Sequence, residues 1–387
     1  MTPILYFLVS NLLASVSMGV ILVIVPWTLV SQIGGQMLIY VSVAALGLLV
    51  LLRQRIYLML SSVPSQNVMA VNMVIAAGVL SLLLFLQDSE AVLVFVMFAS
   101  QIYIYFYYVA RAVLTKQIVA GASYAKYNGI LEVENQASTF IAGGVAAYLI
   151  SLEQIMFAHV FAMSMVGLLV AAGLLFTKVR PVPTVEVPGP SAIEPRKIRL
   201  GLVMIALGAS ATFICVKLLD VINPIYVVEV LKESPKVIAI SGICYTVGAI
   251  GAGVLGASQR VKAYEVQTIL VALLGFLTFC ALFALLSNIE LFYLSWAAWG
   301  LFNSLSRISW HTLAMNRLDV QASANFFSSI TMLVDFSRIA LLLIYSAGIA
   351  YFSAEVSFVY LTAICVIGVY LVLLGRAWIR QEKVATV

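Results

Sequence analysis

Several charged side chains of this chain lie inside long apolar stretches, where an ionised group is costly and therefore informative about function. Asp335 and Arg338 stand three residues apart in the stretch "MLVDFSRIAL". On a helix this spacing puts both on one stripe, one turn apart, and the opposite charges offset part of each other's desolvation. Two interpretations follow: a buried salt bridge that joins helices, or a carboxylate that alternates between a proton and the arginine.

A second pair of charged residues, Glu132 and Glu134, lies in "ILEVENQ" near the start of another apolar segment. A step of two residues places them on different faces of a helix, and the helix dipole near an N-terminus favours their ionised form. They are candidates for proton coupling or for binding a cationic part of a substrate. The alternative is a gate contact with Arg111 or Lys116.

Lys217 and Asp220 form a third pair, again three residues apart, and Asn223 and Pro224 follow them. The proline predicts that the helix breaks at this point. Broken helices at membrane depth line cavities in transporters, which makes Lys217 and Asp220 candidates for substrate contact. A satisfied pair near the outer surface is the alternative.

Two groups of three residues repeat a step of four along the chain, so that each group lies on one stripe of a helix. We call them the N-terminal stripe and the C-terminal stripe: Tyr103, Tyr107 and Arg111, and Trp299, Asn303 and Arg307. Asn128 and Asn325 then open the apolar segments that follow. This repetition indicates an internal duplication, as expected of secondary transporters. The stripes, together with Asn11, are predicted to line a substrate cavity; packing aromatics are the alternative.

The elements that must hold these residues are membrane-spanning helices. The 387-residue chain is 63% hydrophobic and only 10% charged, which excludes an ordinary soluble protein. A helix needs about 20 apolar residues to cross a bilayer, and such segments recur from end to end. The prediction is an all-α membrane protein with twelve transmembrane helices in two six-helix halves, at residues 4–30, 36–52, 68–87, 91–113, 128–151, 155–177, 199–222, 236–257, 266–287, 290–310, 324–348 and 354–377.

The distribution of charge predicts how these helices are oriented. With the N-terminus in the cytoplasm, most of the 21 Lys and Arg residues fall on cytoplasmic loops or ends, and acids collect on the other side. This is the positive-inside pattern, so both termini are expected in the cytoplasm, at the inner membrane of a bacterium. The proline-rich stretch 177–199 cannot sustain a helix. It divides the chain into an N-terminal half (1–177), a linker (178–198) and a C-terminal half (199–387).

Several classes of function are excluded by what the sequence lacks. The four cysteines lie in apolar segments without a CxxC pair, and no metal cluster, phosphate-binding loop or nucleophile triad is present. The net charge of +5 follows from the membrane topology and is no nucleic-acid footprint. We therefore expect no cofactor, no metal, no nucleic-acid partner and no enzymatic activity.

Three segments carry a resemblance to a known family. They are "PWTLVSQIGGQ" (26–36), "YNGILEVENQASTFIAGGVAAYLI" (127–150) and "NPIYVVEVLKESPKVIAISGICYTVGAIGAGVLG" (223–256). Together with the six-plus-six arrangement, they resemble the major facilitator superfamily, and in particular its drug and siderophore exporters. The loop "RQRIYLMLSSVPSQN" (53–67) departs from the family pattern, because it lacks the Gly and Asp of the usual cytoplasmic latch.

Small residues predict where helices approach each other closely. Gly248, Ala252 and Gly256 form one such stripe, and Ala142 and Ala146 form another. The resemblance implies that the spans holding these two stripes meet across the halves, so both stripes are expected at that contact.

The resemblance implies a secondary transporter that works by alternating access. We expect a proton-coupled exporter, an antiporter, of a small amphipathic or anionic organic molecule such as a siderophore or a drug. An importer or lipid flippase of the same fold is one alternative, and a non-transporting membrane receptor or scaffold is another. The expected partners are the small-molecule substrate, protons or another coupling ion, and membrane lipid, and the expected oligomeric state is a monomer.

Overall fold

Long helices make up the described part of the chain. The computed structural model describes residues 3–33, 44, 47–49, 51, 63–86, 89–119, 124–151, 157–179, 196–233, 236–257, 264–286, 288–349 and 356–385. A π-helical turn, Val227–Leu231, follows the helix Ala211–Tyr226. The helices in these ranges are α1 (Pro3–Ile33), α2 (Ser65–Leu86), α3 (Glu90–Ile118), α4 (Tyr124–Ser151), α5 (Phe157–Lys178), α6 (Arg196–Ala209), α7 (Ala211–Tyr226), α8 (Lys236–Gly256), α9 (Glu265–Leu285), α10 (Ile289–Arg317), α11 (Val320–Ile349) and α12 (Ser357–Ala385).

These helices confirm the predicted all-α fold. Each predicted span outside 36–52 begins within about one helical turn of an observed helix start. The span 36–52 and most of the linker 178–198 lie outside the described residues. Eight described helical segments are long and apolar enough to cross a membrane, and one of them, Arg199–Leu219, runs through α6 and α7. Large apolar side chains on them face outward, for example Phe85 at 84% and Met163 at 76% exposure, as expected of helices whose solvent is lipid.

One predicted break is wrong in position. α7 continues through Asn223 and Pro224 to Tyr226, and a π-helical turn follows directly. The interruption lies instead at Ser210, between α6 and α7. There the carbonyl of Ala209 accepts a hydrogen bond of 2.9 Å from the Ser306 hydroxyl. The backbone bonds from Ser210 to Ala206 and from Ile214 to Ser210 are kept, so the interruption is a local irregularity of the helix.

Contacts divide the chain into two units. The first comprises Met1–Ala122, Glu134–Thr184 and Asp319–Met332, and in it α1 and α2 pack on α5 and α3. The second comprises Ser123–Val133, Val185–Leu318 and Leu333–Val387, and in it α10 packs on α8 and α9 while α12 packs on α6 and α9. In α4 and in α11, the first turns belong to a different unit from the rest of the helix.

The small residues of α8 contact two neighbours. The stripe expected to face the span 128–151 faces α10 instead: a Cβ added at Gly248 would lie 1.9 Å from the Ala297 carbonyl oxygen. The residue of α8 that does meet α4 is Gly253, whose carbonyl oxygen would lie 2.5 Å from a Cβ added at Gly129. The two spans meet as expected, but through another face of α8.

Candidate functional site

The N-terminal stripe lies on α3 and faces α1. The rings of Tyr103 and Tyr107 are stacked, with centroids 5.6 Å apart and an interplanar angle of 21°. The Tyr107 hydroxyl donates to Asn11 Oδ1 at 3.1 Å and hydrogen bonds with Ser15 Oγ at 3.0 Å. The structure therefore brings together three of the predicted cavity residues, Asn11, Tyr103 and Tyr107, within the first unit.

Two hydrogen-bond donors in this cluster have no partner in the described part of the chain. They are the Tyr103 hydroxyl and the Asn11 amide nitrogen, and their side chains belong to residues that are 5% and 0% exposed. A buried donor without an acceptor costs roughly 1–3 kcal/mol. An acceptor oxygen that reached these two groups would therefore be bound more favourably than at a donor already in use.

Arg111 completes the N-terminal stripe with a positive charge. Its guanidinium carbon lies 6.0 Å from the ring centroid of Tyr107 and 5.8 Å from that of Tyr108, within the range of cation–π attraction. The guanidinium also lies 3.7 Å from Glu134, and both side chains are about nine-tenths buried. The predicted contact between Arg111 and an acid of α4 is thus made by Glu134.

Glu132 faces a different neighbour, as its step of two from Glu134 predicts. In the second unit, Arg307 of α10 donates to both carboxylate oxygens of Glu132. Ser304, one turn earlier on α10, donates to the same carboxylate at 2.6 Å. The Glu132 side chain is 5% exposed, so a fully desolvated acid is held by a guanidinium and a hydroxyl.

The C-terminal stripe is occupied by packing contacts within the second unit. Trp299 is 0% exposed, and its ring stacks on Phe358 with centroids 5.6 Å apart. The Asn303 amide donates to the Tyr245 hydroxyl at 2.6 Å and accepts from Thr212 at 3.0 Å. A cavity role for Trp299 and Asn303 stays a prediction, and the described contacts favour the packing alternative.

The charged side chains of Asp335 and Arg338 are in contact on α11. Arg338 lies 3.6 Å from the Asp335 carboxylate, and the two side chains are 25% and 21% exposed. Lys217 of α7 is close enough to attract the same carboxylate electrostatically. Asp335 therefore has two cations around it. The Asp220 side chain lies outside the described part of the chain, so its pairing with Lys217 stays a prediction.

Polar contacts of α4 and α11 were not foreseen from the sequence. Asn128 donates to the Thr312 hydroxyl at 3.0 Å, and Lys116, which was considered as a partner for the glutamates, donates to Ser323 at 3.1 Å. Ser304 could have been found, because it lies one turn from Arg307 on the same helical stripe. Among the described residues, no group of three His, Cys, Asp or Glu side chains could hold a metal ion.

Comparisons with known proteins agree with this architecture. No curated protein matches the sequence. Two similar structures are the human organic anion transporter MFSD10 (TETRAN), with a TM-score of 0.68 and 11% identity over 95% of this chain and 98% of the other, and a bacterial homologue of the iron transporter ferroportin in an outward-facing state, with a TM-score of 0.69 and 13% identity over 99% and 100%. At such identities the likeness shows the fold alone. The sequence profile of the Major Facilitator Superfamily matches residues 7–341, and the chain therefore belongs to that family of membrane transporters.

Proposed function

We propose that the protein is a proton-coupled exporter of a small amphipathic or anionic organic molecule. The observation that carries this proposal is the cluster on α1 and α3. It has a buried guanidinium, Arg111, on the same helical stripe as Tyr103, and two buried donors, on Tyr103 and Asn11, that have no partner among the described residues. Cationic and donor groups recognise carboxylates and other anionic oxygens, while the tyrosine rings suit an apolar body.

Coupling is assigned to the carboxylates that lie inside the spans. Asp335, with Arg338 as its counter-charge, is the leading candidate, and Glu132 and Glu134 are the others. An ionised group within a span is a functional candidate by default. A conformational change that separated Asp335 from Arg338 would leave the carboxylate in need of a proton, which is the requirement of a proton-driven cycle.

The remaining features of the proposal concern topology. The protein lies in the inner membrane of a bacterium, with both termini on the cytoplasmic side. Residues 178–198 are a cytoplasmic linker between two six-helix halves. The protein acts as a monomer. Single cysteines placed in the loops 53–67 and 177–199 of a cysteine-free chain should resist an impermeant thiol reagent added from outside. Strong labelling of the loop 177–199 would contradict this orientation.

Flux into proteoliposomes tests the function. Purified protein is reconstituted with an acidic lumen and given carboxyfluorescein as an organic anion, desferrioxamine B as a siderophore, and ethidium as a cationic comparison. We expect accumulation of at least one of the first two against its gradient, and its loss when the pH gradient is dissipated. Arg111→Ala should abolish this uptake, whereas the matched change at an exposed arginine, Arg380→Ala, should not. A folded protein without flux of any probe would favour the scaffold alternative.

Coupling has its own test in the same vesicles. Asp335→Asn mimics the protonated acid, so it should keep exchange of the substrate across the membrane and lose accumulation driven by the pH gradient. The double variant with Arg338→Ala should recover stability relative to Arg338→Ala alone, without recovering accumulation. Uphill transport by the double variant would instead identify the pair as a structural salt bridge.

A further inference from the structure

Three of the four cysteines of this chain meet in the interior of the second unit. Cys215 of α7, Cys280 of α9 and Cys365 of α12 are each 0% exposed. The Cys215 sulfur lies 3.7 Å from the Cys365 sulfur, and Cys280 is close enough to form a hydrogen bond with Cys365. The fourth cysteine, Cys244 of α8, is partly exposed. Segments that are far apart in the sequence therefore bring three thiols to one place.

Cys215 and Cys365 continue a close-packed contact between α12 and the helices α6 and α7. Glycines let these backbones approach each other: a Cβ added at Gly368 would lie 2.7 Å from the Ala211 Cβ. The facing residues follow an antiparallel register, in which each step of three or four residues forward along α6 and α7 matches a step of three or four back along α12. In order, the facing pairs are Gly201 and Ile379, Ile205 and Gly375, Gly208 and Val372, and Ala211 and Gly368. The next pair in this register is Cys215 and Cys365.

The geometry of this pair suits a covalent bond. The two sulfurs of a disulfide lie about 2.05 Å apart, and the backbones of the two residues must be close. The neighbouring pair, Ala211 and Gly368, shows that the backbones are close here. The Cys215 thiol donates to the Leu361 carbonyl oxygen at 3.7 Å, one turn from Cys365 on α12, so this thiol is directed at α12. An approach of about 1.7 Å between the sulfurs would complete the bond.

We propose that Cys215 and Cys365 are an oxidisable thiol pair, which hydrogen peroxide joins in a disulfide that ties α7 to α12. One sulfur attacks the peroxide: an S–O bond forms, the O–O bond breaks, and the released hydroxide takes the thiol proton to give water and a sulfenic acid. The second sulfur then attacks the sulfenic sulfur: the S–S bond forms, the S–O bond breaks, and a second water leaves with the second thiol proton. Two thiols lose two electrons together, and one peroxide is reduced to two waters.

Burial selects both the oxidant and the linked residues. Hydrogen peroxide is small and uncharged, whereas charged or bulkier thiol reagents should not reach a fully enclosed pair in the folded protein. Cys280 contacts the same Cys365 sulfur, but it comes from α9 and lies outside the register of facing pairs. The expected bond is therefore the one between Cys215 and Cys365.

Counting thiols in the parent protein tests the proposal without any substitution. The folded protein in micelles is incubated with hydrogen peroxide for increasing times, because disulfide formation takes seconds to hours. Catalase removes the peroxide, and the chain is unfolded in SDS with N-ethylmaleimide. Intact mass should show four maleimide groups in the untreated chain, one for each cysteine, and two after oxidation. Reduction by dithiothreitol should restore all four, and peptide mapping should find Cys215 linked to Cys365.

Two variants with two cysteines each are the matched comparison. The chain with Cys244→Ala and Cys280→Ala keeps the facing pair and should still form the bond. The chain with Cys215→Ala and Cys365→Ala keeps the other two cysteines and should retain both thiols under the same treatment.

Three results would overturn the proposal. They are a folded parent that keeps all four thiols throughout the treatment, a gain of oxygen mass without a linked peptide, and a bond that joins other cysteines. Because the decisive measurement is made on the parent, a variant that fails to fold does not leave the question open. The covalent bond is measured without any substrate, so the thiol pair does not depend on the proposed transport function.

Discussion

The N-terminal and C-terminal stripes have the same step of four residues and end in the same residue type, yet the structure uses them differently. In the N-terminal stripe, Tyr103 keeps a buried hydroxyl without a partner in the described chain. In the C-terminal stripe, Asn303 uses both ends of its amide, whereas the indole N–H of Trp299, enclosed by aromatic rings, is likewise buried without a hydrogen-bond partner in the described chain. A duplicated pattern thus predicts where polar residues lie, but not whether a ligand or the protein itself satisfies them.

The arginines of the two stripes differ in the same way. Arg307 holds Glu132 through both carboxylate oxygens, while Arg111 lies 3.7 Å from Glu134 and over two tyrosine rings. Both acids come from the first turns of α4, two residues apart. At the corresponding place in α11, Ser329 follows Asn325 at the spacing at which Glu132 follows Asn128. The second copy therefore lacks the acid, and the asymmetry is written in the sequence.

The largest effect on stability should come from Arg307, the arginine of the C-terminal stripe. Arg307→Ala leaves the Glu132 carboxylate buried without its guanidinium, so we expect the free energy of unfolding to fall by about 3–5 kcal/mol. Unfolding in mixed micelles, followed by circular dichroism during titration with SDS, measures it. Adding Glu132→Gln should restore part of the loss, because the uncompensated charge is then gone. An equal loss in Arg111→Ala would show that the two arginines are equivalent after all.

The next effect separates the arginines by function. Arg111→Lys keeps the positive charge but loses the planar guanidinium, and we expect uptake of carboxyfluorescein to fall by about tenfold, since lysine cannot bind an anion bidentately or stack on rings in the same way. Arg307→Lys should instead lower the stability and leave the apparent affinity for the substrate unchanged. Initial rates of uptake across a range of probe concentrations, at matched protein content, distinguish the two outcomes. A drop in affinity with Arg307→Lys would place the C-terminal stripe in the substrate path.

Much of this arrangement follows from the sequence, because it depends on local spacing. Hydropathy predicts the helices, and the step of two between Glu132 and Glu134 predicts that they face different neighbours. Partners on other helices depend on packing, which spacing along one helix does not determine. The choice of Gly253 rather than Gly248 for the contact with α4 is of this kind. The irregularity at Ser210 was missed for the same reason, since the hydroxyl that bonds to the Ala209 carbonyl belongs to Ser306, far along the chain.

A smaller effect is expected at Asn303. Asn303→Ala removes the partner of the Tyr245 hydroxyl and one acceptor of Thr212, and loss of these buried hydrogen bonds should lower the free energy of unfolding by about 1–3 kcal/mol. Thr212 can turn to the Ala209 carbonyl oxygen, which lies 3.1 Å away, so part of the loss is recovered. Substrate affinity should stay the same in the uptake assay. A fall in affinity without a fall in stability would return Asn303 to the substrate cavity.

The smallest change in stability, and the sharpest contrast, should come from two tyrosines of the N-terminal stripe. Tyr107→Phe loses hydrogen bonds to Asn11 and Ser15, which should lower the free energy of unfolding by about 1 kcal/mol. Tyr103→Phe removes a hydroxyl that has no partner in the described chain, so the stability should hold or rise slightly. If that hydroxyl serves the ligand, the same variant should bind carboxyfluorescein several times more weakly. Unchanged affinity together with raised stability would mean that Tyr103 is only a packing residue. The unpartnered Tyr103 hydroxyl would then be a small defect of packing and no sign of a ligand site.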